Sequence, residues 1–331
     1  MTAAGRATAV AHPNIALIKY WGNADADLRL PSNGSISMTL SGLETRTSVA
    51  FVQGLPSDRV TIGGQPAQPQ AAARVSRVLD RVRSLAGIPR PADVDSVNSF
   101  PTAAGIASSA SAFAALACAA AAAAGLDLEA PDLSRLARLG SGSACRSLFG
   151  GYVEWLPGSD DASSFSVQIA PPEHWDLVDV VAVVSRAPKE VGSSEGHRRA
   201  DTSPLQAGRV REAPLRLAAC RRAILEKDFS ALAEIVEQDS DLMHEVMRTS
   251  MPPLDYASPV TQALRSAVRS WRATGLTVAY TQDAGLNLHL LCPASASKEV
   301  AERVRSFPGV LELLVAGPGG PPRVTKADDS G

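Results

Sequence analysis

Residues 100–116 read F-P-T-A-A-G-I-A-S-S-A-S-A-F-A-A-L, and the rest of the chain is organised around them. Pro101 sets a turn, and Gly105 admits backbone angles that a Cβ atom resists. Ser108, Ser109 and Ser111 then lead into an alanine run that reaches Ala124 and stops at Gly125. Alanine is the strongest helix former and glycine a common terminator, so the run predicts a helix. The start of a helix leaves N–H groups unpaired and carries partial positive charge. Small residues ahead of it let a phosphate approach the backbone. Serines at the rim add hydroxyls for phosphate oxygens or for a Mg²⁺ ion. The plainer reading is a buried alanine-rich helix with a serine cap. The order of turn, small residues, glycine, paired serines and long apolar helix favours phosphate. No Gly-Lys-Ser/Thr follows, so this is not a Walker loop.

Working outward, a length of 331 residues suggests two domains. Hydrophobic residues at 45% and charged residues at 20% are values of a globular protein. A net charge of −2 gives no reason to expect nucleic acid or a membrane surface as partner. The first ten residues lack the apolar core of a signal peptide, and the Ala112–Ala124 run is too short and alanine-rich to span a bilayer. Cys118, Cys145, Cys220 and Cys292 are scattered without C-x-x-C spacing, and read as reduced thiols of a cytoplasmic protein.

Upstream of the central stretch, residues 6–11 alternate like a strand. H-P-N-I-A-L-I-K-Y-W-G-N (12–23) ends an apolar segment in Lys19, Tyr20 and Trp21, an odd sequel for a lysine that merely reaches water. Strands are expected within 28–40, at 45–51 and at 59–66, a meander that favours an antiparallel sheet. Val75, Val78, Leu79, Val82 and Leu85 give residues 70–87 a helical stripe with a basic face read as solvated. Residues 93–100 are a strand that delivers Ser96 and Asn98 to the mouth of the loop.

Downstream, G-S-G-S-A-C-R-S-L-F-G-G-Y (140–152) sets Ser141, Ser143 and Arg146 between glycines. Arginine presents a planar fork of donors suited to a carboxylate or phosphate. Pro and Gly punctuate 156–175, the expected domain boundary. Beyond it come a buried strand at 175–185, helices near 209–227, 229–247 and 258–273, and strands at 276–281, 288–292 and 311–315. The tail from 319 is expected to fray. Strands and helices do not form a regular βαβ series, so the fold class is α+β. Asp283 sits in a Gly/Asn turn after an apolar strand, where Asp commonly caps backbone.

N-I-A-L-I-K-Y-W-G, F-P-T-A-A-G-I-A-S-S-A-S, G-S-G-S-A-C-R-S-L-F-G-G-Y and Y-T-Q-D-A-G-L-N, in this order, resemble the diphosphomevalonate decarboxylase family. That family belongs to the superfamily of galactokinase, homoserine kinase, mevalonate kinase and phosphomevalonate kinase. The resemblance implies the two-domain small-molecule-kinase fold. Residues 1–172 would be an N-terminal domain like ribosomal protein S5 domain 2, and 173–318 a ferredoxin-like C-terminal domain. It implies ATP and Mg²⁺ as cofactors, a phosphorylated mevalonate as substrate and a homodimer. The 3-hydroxyl is phosphorylated, then phosphate and CO₂ depart to leave an isopentenyl ester. By resemblance Asp283 accepts the hydroxyl proton, Lys19 pairs with Asp283 and the transferring phosphoryl, and Arg146 holds the substrate carboxylate. Ser96, Asn98, Pro101, Gly105, Ala107, Ser108 and Ser109 would hold ATP, with Ser108 also near Mg²⁺. Tyr20, Asn23, Ser141, Ser143 and Ser193 would surround the 5-phosphate end.

Two departures bear on the substrate. Family members acting on the diphosphate usually read K-Y-W-G-K, where this chain has Asn23. Many bacterial members read S-S-R, and here Ser194 or Glu195, depending on a one-residue gap, stands at that arginine. A missing cation weakens binding of a terminal phosphate, so the sequence favours mevalonate 5-phosphate, with the diphosphate as the alternative. A 3-kinase that stops before decarboxylation and a non-catalytic sensor are further alternatives; retention of Lys19, Arg146 and Asp283 argues against both.

Overall fold

The structure, a computed structural model, describes residues 5–100, 108–187 and 191–326. Strands β1 (Arg6–Ala11) and β2 (Asn14–Ile18) flank Pro13, and a small hairpin of β3 (Asn23–Asp25) and β4 (Leu30–Pro31) follows. Next come β5 (Ser35–Thr39), β6 (Thr45–Phe51), β7 (Arg59–Ile62), β8 (Gln65–Pro66), helix α1 (Pro69–Ala86) and β9 (Ala92–Asn98). Helix α2 (Ser108–Ala123), α3 (Ala130–Gly140), a 3₁₀ stretch at Gly142–Leu148, β10 (Tyr152–Trp155) and β11 (Ser166–Ala170) complete the first half. The second half holds β12 (Leu177–Val183), α4 (Ser193–Arg199), α5 (Gln206–Glu226), α6 (Phe229–Thr249) and α7 (Pro259–Ala273). It ends with β13 (Ala279–Thr281), β14 (Leu288–Pro293), α8 (Ala294–Arg305), β15 (Glu312–Ala316) and β16 (Arg323–Lys326).

A six-stranded sheet ordered β16-β1-β6-β9-β7-β8 carries α1 and α2 on one face. Its pairings are antiparallel except for the parallel β7–β9 pair. Alternation sets the layer: Ala7, Ala9 and Ala11 of β1 and Val49 and Phe51 of β6 face α2, and Arg6 and Arg46 face out. Helix α2 is buried almost all round, which only small side chains permit so close to a sheet. It ends as expected at Gly125, whose φ of 73° is the left-handed conformation of a helix terminator.

A second sheet, β11-β10-β5-β2, lies at the junction of the halves. β2 and β5 are buried along their whole length, because the first half covers one side and the second half the other. Ile15, Leu17, Ile36, Met38 and Leu40 share one core with Leu177, Val181 and Val183 of β12 and Leu217 and Val236 of α5 and α6. Arg221 of α5 adds a two-pronged ion pair to Glu154 of β10, at 2.8 and 2.6 Å. The third sheet, β13-β14-β12-β15, packs α7 and α8 against its far face.

Several expectations need correction. Residues 323–326 pair antiparallel with β1 at the edge of the first sheet, so that part of the tail is a strand. Its Arg-Val-Thr-Lys sequence is too short and too exposed to announce this. Leu85 is 48% exposed, so the buried stripe of α1 ends at Val82. The 276–281 strand shrinks to three residues, and α8 takes a segment in which no helix was expected. Pro101, Gly105 and Ala107 lie outside the described residues. No helix among the described residues is long and apolar enough to cross a membrane.

Candidate active site

β2 delivers Lys19 to the junction. The residue is 1% exposed, and Nζ donates to Asp283 Oδ1 at 2.6 Å and to the Ala16 carbonyl at 2.8 Å. Burial pushes the ammonium below its ordinary pKa, against the opposing pull of Asp283 and Asp239. Asp283 follows β13 in a turn closed by Gly285 N–H donating to the Asp283 carbonyl at 2.7 Å. Gln282 stiffens that turn: its amide donates to the carbonyls of Tyr256 and Gly285. The Asp283 side chain keeps a quarter of its surface exposed, so it faces both the lysine and the cleft.

Arg146 comes from the 3₁₀ stretch and is buried. It donates to Ser35 Oγ at 2.6 Å and to Asn14 Oδ1 at 3.0 Å, both neutral oxygens, and its Nε has no partner among the described residues. Burial lowers its pKa, and the charge of Asp283 acts in the opposite sense. A buried guanidinium satisfied only by neutral acceptors is a ready partner for an incoming anion.

Tyr20 stacks on His197 at 4.1 Å between ring centroids, meets Trp155 edge-on at 4.7 Å and donates its hydroxyl to Asn23 Oδ1. Gly142 makes this possible, since a Cβ there would lie 2.6 Å from the Tyr20 ring. His197 Nδ1 accepts from Gly22 N–H at 3.0 Å, which fixes a neutral ring protonated at Nε2. Burial, with Arg29 and Arg209 nearby, holds its pKa down to about 3. Ser141 Oγ lies 3.2 Å from Ser109 Oγ, so the substrate stretch touches the first turn of α2. Below that turn, Thr45 Oγ1 donates to Asn98 Oδ1 at 2.7 Å and lies 2.6 Å from Ser111 Oγ. Ser96 Oγ lies 2.8 Å from Thr47 Oγ1. Ser143 contributes its carbonyl to Asn14, at 3.1 Å. Ser193 opens α4 on its exposed side, and Glu195 pairs with Arg198 and Arg199 of its own helix. What α4 brings to Tyr20 is therefore His197 rather than Ser193.

A lysine–aspartate ion pair, a buried arginine and a helix start thus meet where the halves join. The two halves each match a family model: residues 11–166 the diphosphomevalonate decarboxylase-like N-terminal domain, and residues 179–313 the mevalonate 5-diphosphate decarboxylase C-terminal domain. The diphosphomevalonate decarboxylase of Ganoderma lucidum is 40% identical over 329 residues, 92% of this chain and 82% of that protein. The chain belongs to the diphosphomevalonate decarboxylase family. The human diphosphomevalonate decarboxylase is 41% identical over 302 residues, 85% of this chain and 75% of its own. A solved complex of MDDEF with MVAPP, AMPPCP and magnesium superposes with a TM-score of 0.91 at 37% identity, over 98% of this chain and 99% of the other. The α+β, two-domain architecture expected from the resemblance is the architecture found.

For a decarboxylase-family chain, the site has more parts than the motifs announced. Asp239 of α6 is fully buried and accepts from Lys19 N–H at 2.6 Å and from Arg216 Nε at 2.8 Å, with Arg209 at 3.5 Å. Asn33 and Arg209 both donate to the Lys19 carbonyl. Asn14 holds Arg146 and donates to Ser147 Oγ at 2.7 Å. Arg74 of α1 leaves the solvated face assigned to it: two of its nitrogens donate to the Gly140 carbonyl at 2.9 and 2.7 Å, beside Ser141. A signal existed for Asp239, which falls in step with Val236, Met243 and Val246 on the buried stripe of α6. A carboxylate on an apolar stripe announces buried cations.

Proposed function

We propose that this protein catalyses the ATP- and Mg²⁺-dependent decarboxylation of mevalonate 5-diphosphate to isopentenyl diphosphate. The observation that carries the reading is the Lys19–Asp283 pair at 2.6 Å beside Arg146. Lys19 holds the Asp283 side chain in place, where it would take the proton of the substrate's 3-hydroxyl as that oxygen bonds to the terminal phosphorus of ATP and the bond from that phosphorus to ADP breaks, ADP leaving. The C3–O bond to the transferred phosphate then breaks. The bond between C2 and the carboxyl carbon breaks with it, and its electron pair forms the new C=C bond as CO₂ leaves. Arg146 holds that carboxylate with its fork and aligns the breaking bond. Both cations also oppose carboxylate and phosphoryl charge in a buried site, where such interactions are strongest.

Ser108 and Ser109 would meet the ATP phosphates, with Ser141 next to them at the substrate's phosphate end, and Ser96 and Asn98 line the adjoining strand. The fit for Mg²⁺ is through those phosphates, with Ser108 beside them: the described residues contain no group of three His, Cys, Asp or Glu placed to hold a metal. When bound, the ion would offset charge on the transferring phosphoryl group. A homodimer is carried with this reading from the family resemblance alone.

The preference for the monophosphate that Asn23 suggested is set aside. The relatives at about 40% identity are named for the diphosphate, and Arg74 brings to the Ser141 end a charge that the sequence reading left in solvent. Decarboxylation kinetics with both phosphorylated mevalonates test this. The diphosphate is expected to have the higher kcat/KM, and Asp283→Asn to lower its kcat about 100-fold or more. A higher kcat/KM for the monophosphate would return the substrate to the other choice. Full turnover by Asp283→Asn would reduce Asp283 to a turn residue.

A further inference from the structure

Arg29 lies in the β3–β4 hairpin, whose first residue is Asn23. Its φ of 51° makes it one of two non-glycine residues with a left-handed backbone among those described. A side chain disfavours that conformation, so the hairpin holds Arg29 against a local preference. The result is that Arg29 turns towards the end of α3, where Nε donates to the Leu139 carbonyl at 3.0 Å. Arg74 takes the next carbonyl, that of Gly140. Two guanidinium groups therefore flank the two carbonyls that precede Ser141, Gly142 and Ser143.

A helix C-terminus attracts cations, and that accounts for one nitrogen of Arg29. It does not account for the rest of the group. Neither terminal nitrogen of Arg29 meets a protein acceptor among the described residues, and no carboxylate there pairs with it. In the same hairpin the Asp25 carboxylate accepts from Leu28 N–H, and Arg77 donates to the Asp27 backbone carbonyl. The charge of Arg29 acts on the Tyr20 hydroxyl and the His197 ring, and Arg74 and Arg77 lie near enough to oppose it. Three like charges gathered without a paired carboxylate among the described residues, with Arg29 half-buried, are unfavourable until an anion joins them.

We propose that Arg29 binds the terminal phosphate of the substrate and so determines the choice of a diphosphate over a monophosphate. The inference rests on the diphosphate reading above. In that reading Arg146 is taken up by the carboxylate at the other end of the substrate. Tyr20, Asn23 and Ser141 offer only neutral hydrogen bonds at the phosphate end. A terminal phosphate carries close to two negative charges at neutral pH, and a guanidinium fork answers two of its oxygens at once. The hairpin that brings the neutral Asn23 to this end thus also brings the cation.

The test uses the full chain with Arg29→Gln and Arg29→Lys. KM for mevalonate 5-diphosphate and the inhibition constant of mevalonate 5-phosphate, as competitor, are measured side by side. In Arg29→Gln the diphosphate KM is expected to rise about 10-fold or more. The loss falls on KM rather than kcat, because the contact is remote from the reacting carbon. The monophosphate inhibition constant should move at least 5-fold less, and Arg29→Lys should recover most of the difference. Equal weakening of both ligands would overturn the inference and leave Arg29 as a cap of α3. So would a diphosphate KM indifferent to Arg29→Gln. A wild-type protein that does not turn over the diphosphate would instead remove the reading of function beneath it.

Discussion

At the scale of single residues, the site depends on Asp239 as much as on any side chain that meets substrate. Its two oxygens hold the Lys19 backbone and the buried guanidinium of Arg216, with Arg209 beside them. Asn at this position keeps the shape and loses the charge, which leaves two buried arginines with one counter-ion fewer. Removing one partner of such a cluster costs about 3–5 kcal/mol. Asp239→Asn is therefore expected to lose stability of that order in urea unfolding, and to lose activity with it as Lys19 shifts from Asp283. A change below about 1 kcal/mol would mean that Arg209 and Arg216 are compensated elsewhere. The sequence showed Lys19, Arg146 and Asp283 because each stands in a segment whose residue types make poor sense without a ligand. It did not show Asn14 or Arg209, since a buried amide or arginine is recognisable only from its partners, and those partners are 132 and 30 residues away in Arg146 and Asp239.

At the scale of elements, three segments converge on Tyr20: the strap after β2, the turn before the 3₁₀ stretch and helix α4. Gly142 and Gly196 are the contact points, for a Cβ at either would lie within 2.6 Å of the Tyr20 or Trp21 ring. Gly142→Ala should push the Tyr20 ring from its place between His197 and Trp155. The expected result is a KM for the phosphorylated substrate raised about 10-fold, with helix content retained, since the 3₁₀ stretch itself gains from alanine. An unchanged KM would show that Tyr20 has room to move and takes no part in binding. The regular elements were legible because their periodicity is local: α1, α2, β1 and β6 follow from spacing and propensity. β16 and β2 were not, and β5, though expected as a strand, was not expected to be buried on both faces, because these depend on what other parts of the chain lie over them.

At the scale of the whole molecule, one core joins the two halves, and the site sits on it, so stability and activity should respond together to acid. His197 and His244 are both buried and neutral, with pKa values pushed down to about 3, chiefly by burial. His197 faces Tyr20, Trp21 and the Gly22 amide, with Arg29 and Arg209 near. His244 meets the Gln282 carbonyl at 3.3 Å, with Arg265, Arg248 and Lys19 near. In the unfolded chain each titrates near 6.5. Between those limits the unfolded state binds more protons, so stability present above pH 6.5 is lost as the pH falls towards 3. Each histidine contributes a slope of about 1.4 kcal/mol per pH unit in that window, and the pair about 2.8. Urea unfolding at pH 7, 6 and 5 reads the slope directly. The double variant His197→Gln, His244→Gln keeps an acceptor for Gly22 and a donor for Gln282 but has nothing to protonate. Its stability is expected to fall less steeply with acid than that of the wild type, by about the pair's share. Parallel curves for the two proteins would assign the acid sensitivity to the carboxylates instead, and would mean that these imidazoles take up protons without unfolding the junction.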